Sequence, residues 1–216
     1  IGQRVLLGRF DFRLIPALYL DRRGPLPDLV HHAGGEQKLT EWVGRLSVCG
    51  LTARSRRQDQ KMLGRKLFFP QKVLAAPEFL AIANTAGNEV WLSDYQGADF
   101  NVIEELAEPM GMAYADKKLY ICESGTGRIV CFDTVTKKKR TVIEGLRNPY
   151  DIVIVKGNIV VAAAGSHQIF VYDLATMALQ TVYGNRFEAL RDGKADECQL
   201  AQPSAMALME ETIWFV

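Results

Sequence analysis

A mainly β fold, built from consecutive four-stranded units of about forty residues, is what the sequence predicts, and three observations predict it. First, Pro70, Pro109, Pro149 and Pro203 open similar phrases: Pro70-Gln-Lys-Val-Leu, Pro109-Met-Gly-Met-Ala, Pro149-Tyr-Asp-Ile-Val and Pro203-Ser-Ala-Met-Ala. Second, an apolar run begins ten residues after each proline: Leu80-Ala-Ile-Ala, Leu119-Tyr-Ile-Cys, Ile159-Val-Val-Ala and Ile213-Trp-Phe-Val. Third, the first three copies keep a β-branched residue at offset twenty (Val90, Ile129, Ile169) and an aspartate at offset twenty-four (Asp94, Asp133, Asp173). Offsets held without gaps across three copies mark a structural repeat, and four short strands per repeat mark the blades of a β-propeller.

Turn residues divide each copy. In the second, strands are expected near 110–114, 118–122, 128–133 and 140–144; in the third, near 150–155, 158–163, 168–173 and 178–183. The middle strands are continuously apolar, as in Ile152-Val-Ile-Val and Ile159-Val-Val-Ala-Ala-Ala. That pattern suits strands covered on both faces, with one blade between two others. The last strands are more polar, as in Lys139-Arg-Thr-Val-Ile-Glu, and suit an outer rim.

Between the second and third strands stand Asn84-Thr-Ala-Gly-Asn-Glu-Val-Trp, Glu123-Ser-Gly-Thr-Gly-Arg-Ile-Val and Ala163-Ala-Gly-Ser-His-Gln-Ile-Phe. Small residues, Asn and Gly permit positive φ at a tight turn. These segments resemble the NHL repeat, whose consensus runs Asp, Ser/Thr, Gly, Asn, His, Arg, Ile; neither a Gly-His…Trp-Asp nor a paired-glycine signature favours WD40 or kelch blades. The resemblance implies structural turn roles for Asn84, Asn88, Glu123, Arg128 and His167. Between the third and fourth copies the spacing grows to 54 residues, and the inserted stretch 184–202 resembles an NHL inter-blade loop. Loops of this length lie on one face of a propeller and carry contacts. The expected blades span 67–106, 107–145, 146–199 and 200–216. The last is incomplete, which predicts an exposed sheet edge and an open ring.

The first 66 residues read differently. Arg13 to Leu46 alternate as strand, turn, strand and helix, with Asp21-Arg-Arg-Gly24 as the turn and Leu39, Trp42, Val43 and Leu46 on one helical face. This order resembles the second half of a thioredoxin-like domain over 1–46. The likeness makes Pro16 the candidate cis-proline, and its CxxC would precede Ile1. Residues 47–66 are rich in Arg and Lys and read as a basic linker. A thioredoxin-like segment, a linker and NHL blades together resemble the family of NHL repeat-containing protein 2. Both ends of the chain, Ile1 and Trp214-Phe215-Val216, read as cuts within a longer protein.

Composition narrows the function. Net charge is +1, so nucleic acid is not an expected partner. No apolar run is long enough to span a membrane as a helix. The four cysteines (Cys49, Cys122, Cys131, Cys198) are scattered, without CxxC or ligand spacing, which suits reduced thiols and a cytoplasmic setting. Cys122 and Cys131 fall on neighbouring strands and are expected as buried free thiols. His31 and His32 are adjacent in an expected strand and cannot chelate one ion. Lys137-Lys-Lys-Arg140 is expected to be a solvated hairpin tip.

One position stands out. Two residues after the marker prolines come Lys72, Gly111, Asp151 and Ala205, so an aspartate is not required by the blade. Tyr150, Asp151 and Lys72 are therefore the candidates for a partner-binding channel mouth. No catalytic, cofactor-binding or metal-binding residue is assigned, and no cofactor is expected. The expected function is a propeller scaffold for a protein partner; the alternative is a thiol–disulfide oxidoreductase whose CxxC lies upstream, with the propeller presenting the partner.

Overall fold

The computed structural model describes residues 4–7, 10–14, 67–95, 100–209 and 211–216. Their strands form four sheets of four. The first blade holds β3 (Pro70–Ala75), β4 (Leu80–Asn84), β5 (Glu89–Ser93) and β6 (Phe100–Ile103) in sequence order. The second holds β7 (Pro109–Ala115), β8 (Lys118–Glu123), β9 (Arg128–Asp133) and β10 (Lys139–Ile143). The third holds β11 (Pro149–Val155), β12 (Asn158–Ala163), β13 (Gln168–Asp173) and β14 (Leu179–Tyr183). All pairs within these three sheets are antiparallel.

The fourth sheet differs. Its inner strands are β15 (Met206–Met209) and β16 (Thr212–Phe215), and its outer two come from the start of the chain, β1 (Arg4–Leu7) and β2 (Phe10–Leu14). β2 joins β16 in parallel, with Thr212 opposite Asp11 and Phe215 opposite Leu14. The sequence predicts only an incomplete fourth blade over 200–216 and assigns residues 4–14 to the thioredoxin-like segment. The structure pairs them with the fourth blade instead, because β16 offers a row of unpaired backbone donors and acceptors that an extended hairpin can satisfy. Pro16, His31, His32, Cys49 and the linker over 47–66 lie outside the described residues.

The blades pack face against face. β3 lies beside β7, β7 beside β11, and β11 beside β15. Alternation along a strand sends its side chains to two different interfaces. On β8, Leu119 and Ile121 join Ala81, Ala83 and Val90 of the first blade, whereas Tyr120 and Cys122 join Ile152, Ile159 and Val161 of the third. On β12, Ile159 and Val161 face the second blade, while Val160 and Ala162 face Met206, Ile213 and Phe215 of the fourth. This is why polar residues on the middle strands of the second and third blades stand at the strand ends, as Glu123, Asn158 and Gln168 do: in between, neither face meets water. Each fully buried Leu or Ile contributes about 1.5–3 kcal/mol of transfer free energy.

The outer faces of the first and fourth blades have no such cover among the described residues. Phe68, Phe69 and Val73 are exposed at one end of the series, Leu208 and Met209 at the other. The marker prolines begin β3, β7 and β11, and each is followed by a break in register before Lys72, Met112 and Asp151. Proline lacks the N–H that a regular ladder needs, so it is placed at a strand start beside a bulge, which re-aims the next residues.

Candidate functional site

The bulges bring the inner strands together around Asp151. Its carboxylate is buried, with 2% exposure, and three donors make four hydrogen bonds to it. Lys72 Nζ reaches Oδ1 at 2.9 Å and Oδ2 at 2.8 Å. The Ile152 N–H donates to Oδ1 at 3.0 Å, and the Met206 N–H of the fourth blade to Oδ2 at 2.8 Å. One aspartate of the third blade thereby ties the first blade to the fourth. Two carboxylate oxygens offer about four acceptor sites, and the chain itself fills them.

The second blade takes part by leaving space. A Cβ on Gly111 would lie 2.5 Å from the Asp151 Cα and 2.6 Å from its Oδ1. No side chain fits there, so Lys72 crosses the second blade to reach its partner. The sequence Lys72, Gly111, Asp151 at equivalent positions is thus a cation, a gap and an anion. The Lys72 side chain keeps 34% of its surface exposed while Asp151 holds its ammonium group, and Tyr150, next to the aspartate in sequence, is half-buried. Cys122 lies near this cluster. Burial pushes its thiol well up, the Asp151 charge adds to that, and Lys72 opposes it. Cys122, Cys131 and Cys198 are all buried free thiols.

The turns between second and third strands lie on the same side as the linkers that enter each inner strand, because the two hydrogen-bond to each other. In the first blade Asn84 Oδ1 accepts from the Phe68 N–H at 2.5 Å and Asn88 Oδ1 accepts from the Glu108 N–H at 3.0 Å. In the second, the buried Glu123 accepts from the Ala107 N–H at 3.2 Å, from Thr126 Oγ1 at 2.8 Å and from Arg128 Nε at 2.8 Å. In the third, the Ala164 N–H donates to Asn148 O and the Gly165 N–H to Arg147 O, as Ser124 and Gly125 do to Glu108 O and Ala107 O in the second, and among the described residues no buried carboxylate braces the turn. Asn88, Gly127 and His167 occupy the same left-handed position, with φ of 57°, 69° and 56°. His167 Nδ1 also accepts from the Gln202 N–H at 3.3 Å.

That last bond anchors the loop between β14 and β15. Within it Arg191 and Gln199 form a β-bridge, the Gly184 N–H donates to Ala195 O, and Gln202 Nε2 donates to Glu188. On this braced frame Phe187 is 70% and Leu190 59% exposed. The inserted length is visible in the sequence, but the sequence reading did not single out these two side chains; apolar residues in an otherwise polar loop were the available signal. Among the described residues no group of three His, Cys, Asp or Glu converges on a possible metal position, and no helix is long and apolar enough to cross a membrane.

The offset-twenty-four aspartates cap the turns on the opposite side. Asp133 Oδ1 accepts from the Val135 and Thr136 N–H groups at 2.9 and 2.8 Å, and Asp173 Oδ1 from those of Ala175 and Thr176 at 3.1 and 2.8 Å. These bonds hold both carboxyls below the usual range.

No protein-family profile and no curated protein matches the sequence. Solved structures do. A structural-genomics protein of unknown function from Bacteroides thetaiotaomicron matches with a TM-score of 0.57 at 16% identity, over 70% of this chain and 43% of that one. A streptogramin B lyase matches at 0.55 and 14%, over 68% and 47%. A chain of a nidogen/laminin complex matches at 0.50 and 15%, over 68% and 51%. The chain spans about half the length of the structures it resembles. The fold these likenesses share with the present chain is that of the β-propeller.

Proposed function

We propose that this chain is part of an NHL-type propeller scaffold for protein–protein interaction, joined to a thioredoxin-like segment. The observation that carries the reading is the loop over 184–202. A loop that carried apolar side chains without use would be expected to fold them inward; here hydrogen bonds to His167 and within the loop brace it while Phe187 and Leu190 stand in water. Rigid apolar anchors of this kind supply most of the energy at protein interfaces. The loop lies on the same side as Tyr150 and Lys72, so the anchors and the channel mouth are available to one partner. The nidogen/laminin complex adds support from a similar fold recorded with another protein. The NHL assignment rests on the turn residues Asn84, Asn88, Glu123, Arg128 and His167; the thioredoxin-like one rests on the order of elements from Arg13 to Leu46.

Proximity labelling of the intact parent protein in its own cells tests this. Partners enriched by the parent are expected to be lost with F187A/L190A and reduced with Y150A, at unchanged melting temperature. Retention of every partner by these variants overturns the reading.

A further inference from the structure

The lysine run at residues 137–140 does not stand alone. It lies in the turn between β9 and β10, and the turn between β7 and β8 with Lys117 and Lys118 lies beside it: the Thr134 N–H and Oγ1 both donate to Lys117 O at 2.9 Å. Two sequence-distant basic clusters are thereby joined on the underside of the second blade, opposite the channel-mouth side. Lys139 reaches Glu105 at 3.5 Å; Lys117, Lys118, Lys137, Lys138 and Arg140 form no ion pair among the described residues. The nearby Asp133 already spends one oxygen on the turn backbone.

The blade does not need these cations. In the third blade Met177-Ala-Leu-Gln180 replaces Lys137-Lys-Lys-Arg140 on the same backbone. Met177 has φ 59° against 60° at Lys137, and each N–H donates to the capping aspartate's carbonyl, at 2.8 and 2.9 Å.

A second, independent feature adjoins the patch. A cleft of about 510 Å³ opens between the first and second blades, with Lys117 and Lys137 on one side and Phe79, Tyr114 and Val135 as its apolar lining. Phe79 and Tyr114 meet edge to face, centroids 5.0 Å apart at 81°. Glu78 and Asp94 stand on the first-blade wall. We propose that this cleft and the basic patch beside it bind an acidic peptide segment of a protein partner, its carboxylates on Lys117 and Lys137 and one apolar side chain against Tyr114 and Val135. A peptide fits better than a nucleic acid. Phe79 and Tyr114 cover each other rather than offering open planes for bases, and the carboxylates of the far wall repel a continuous phosphate backbone. A peptide places its charges discretely and can keep them on the basic side.

The proposal deepens the scaffold reading but uses the other side of the blades, so each can fail alone. The probe is a short fluorescein-labelled peptide of glutamates around a single phenylalanine, titrated with the whole 216-residue chain by fluorescence anisotropy. Binding is expected to weaken with salt, to fall about tenfold with K117E/K137E at an unchanged urea midpoint, and to fall again when the peptide's phenylalanine becomes serine. F187A/L190A is expected to leave it unchanged. Equal binding of a lysine-for-glutamate peptide, no loss with K117E/K137E, or tighter binding of an oligouridylate of equal charge overturns the proposal.

Discussion

The second and third blades share a backbone and differ in what holds it and what it displays. In the second, the turn between the middle strands is tied by the buried Glu123 to Ala107, Thr126 and Arg128; in the third, Ala163 stands at that position, and backbone bonds with those of Ser166 and His167 replace the carboxylate. On the other side, one blade displays lysines where the other displays Met177 and Leu179. What the geometry requires is conserved between them: a left-handed residue at the turn, an aspartate under the next hairpin, apolar side chains on both faces of the middle strands. Everything else is free to vary, and so can carry recognition.

The sharpest way to break this symmetry lies where the two blades meet. Gly111→Ala drives a methyl into the Asp151 backbone and is expected to cost about 3 kcal/mol or more by urea denaturation, whereas Ala113→Gly on the same strand costs less because it only removes packing. Asp151→Ala strands the Met206 and Ile152 N–H groups and the half-exposed Lys72, for an expected loss of about 2–4 kcal/mol. If Lys72→Met relieves part of that loss in the double variant, the pair is coupled as the distances require.

Glu123→Ala comes next. It leaves the Ala107 N–H and Arg128 without their acceptor, and about 2 kcal/mol should be lost, again from urea midpoints. The third blade has no counterpart to remove, so an equal effect from Ala163→Gly would refute the contrast.

The pH dependence is smaller and separates the blade interface from the hairpin turns by sign. Tyr120, in the interface between them, is pushed up to about 12, first by burial and then by Cys131. A raised pKa means the folded protein keeps the proton longer, so this stability is complete below pH 10 and fades as pH rises towards 12. Tyr120→Phe should therefore flatten alkaline unfolding followed by circular dichroism. Asp133 and Asp173 shift the other way: their stabilisation holds above the ordinary carboxylate range and is lost as pH falls through their lowered values. Asp133→Asn and Asp173→Asn should weaken acid sensitivity by similar, small amounts, because both turns are solvent-exposed and share one geometry.

How much of this was legible beforehand depends on range. The strands of the second and third blades fall within a residue or so of the expected bounds, since proline, glycine and alternation act locally. Asp151 was recognisable as an extra, not as a group whose oxygens the chain consumes: its partners are 79 and 55 residues away, and their approach depends on three inner strands packing at once. Lys137–Arg140 likewise read as a solvated tip because Lys117 and Lys118 are remote until Thr134 bonds to the neighbouring turn.

The sequence alone determined the repeat, its four strands, and the positions that face neither water nor ligand, because a strand's side chains alternate by covalent geometry and burial selects their polarity. The tertiary structure alone decided which charges meet and which remain free. Ion pairs, gaps such as the one at Gly111, and the joining of separate hairpins depend on distances between blades, and no spacing along the chain encodes them.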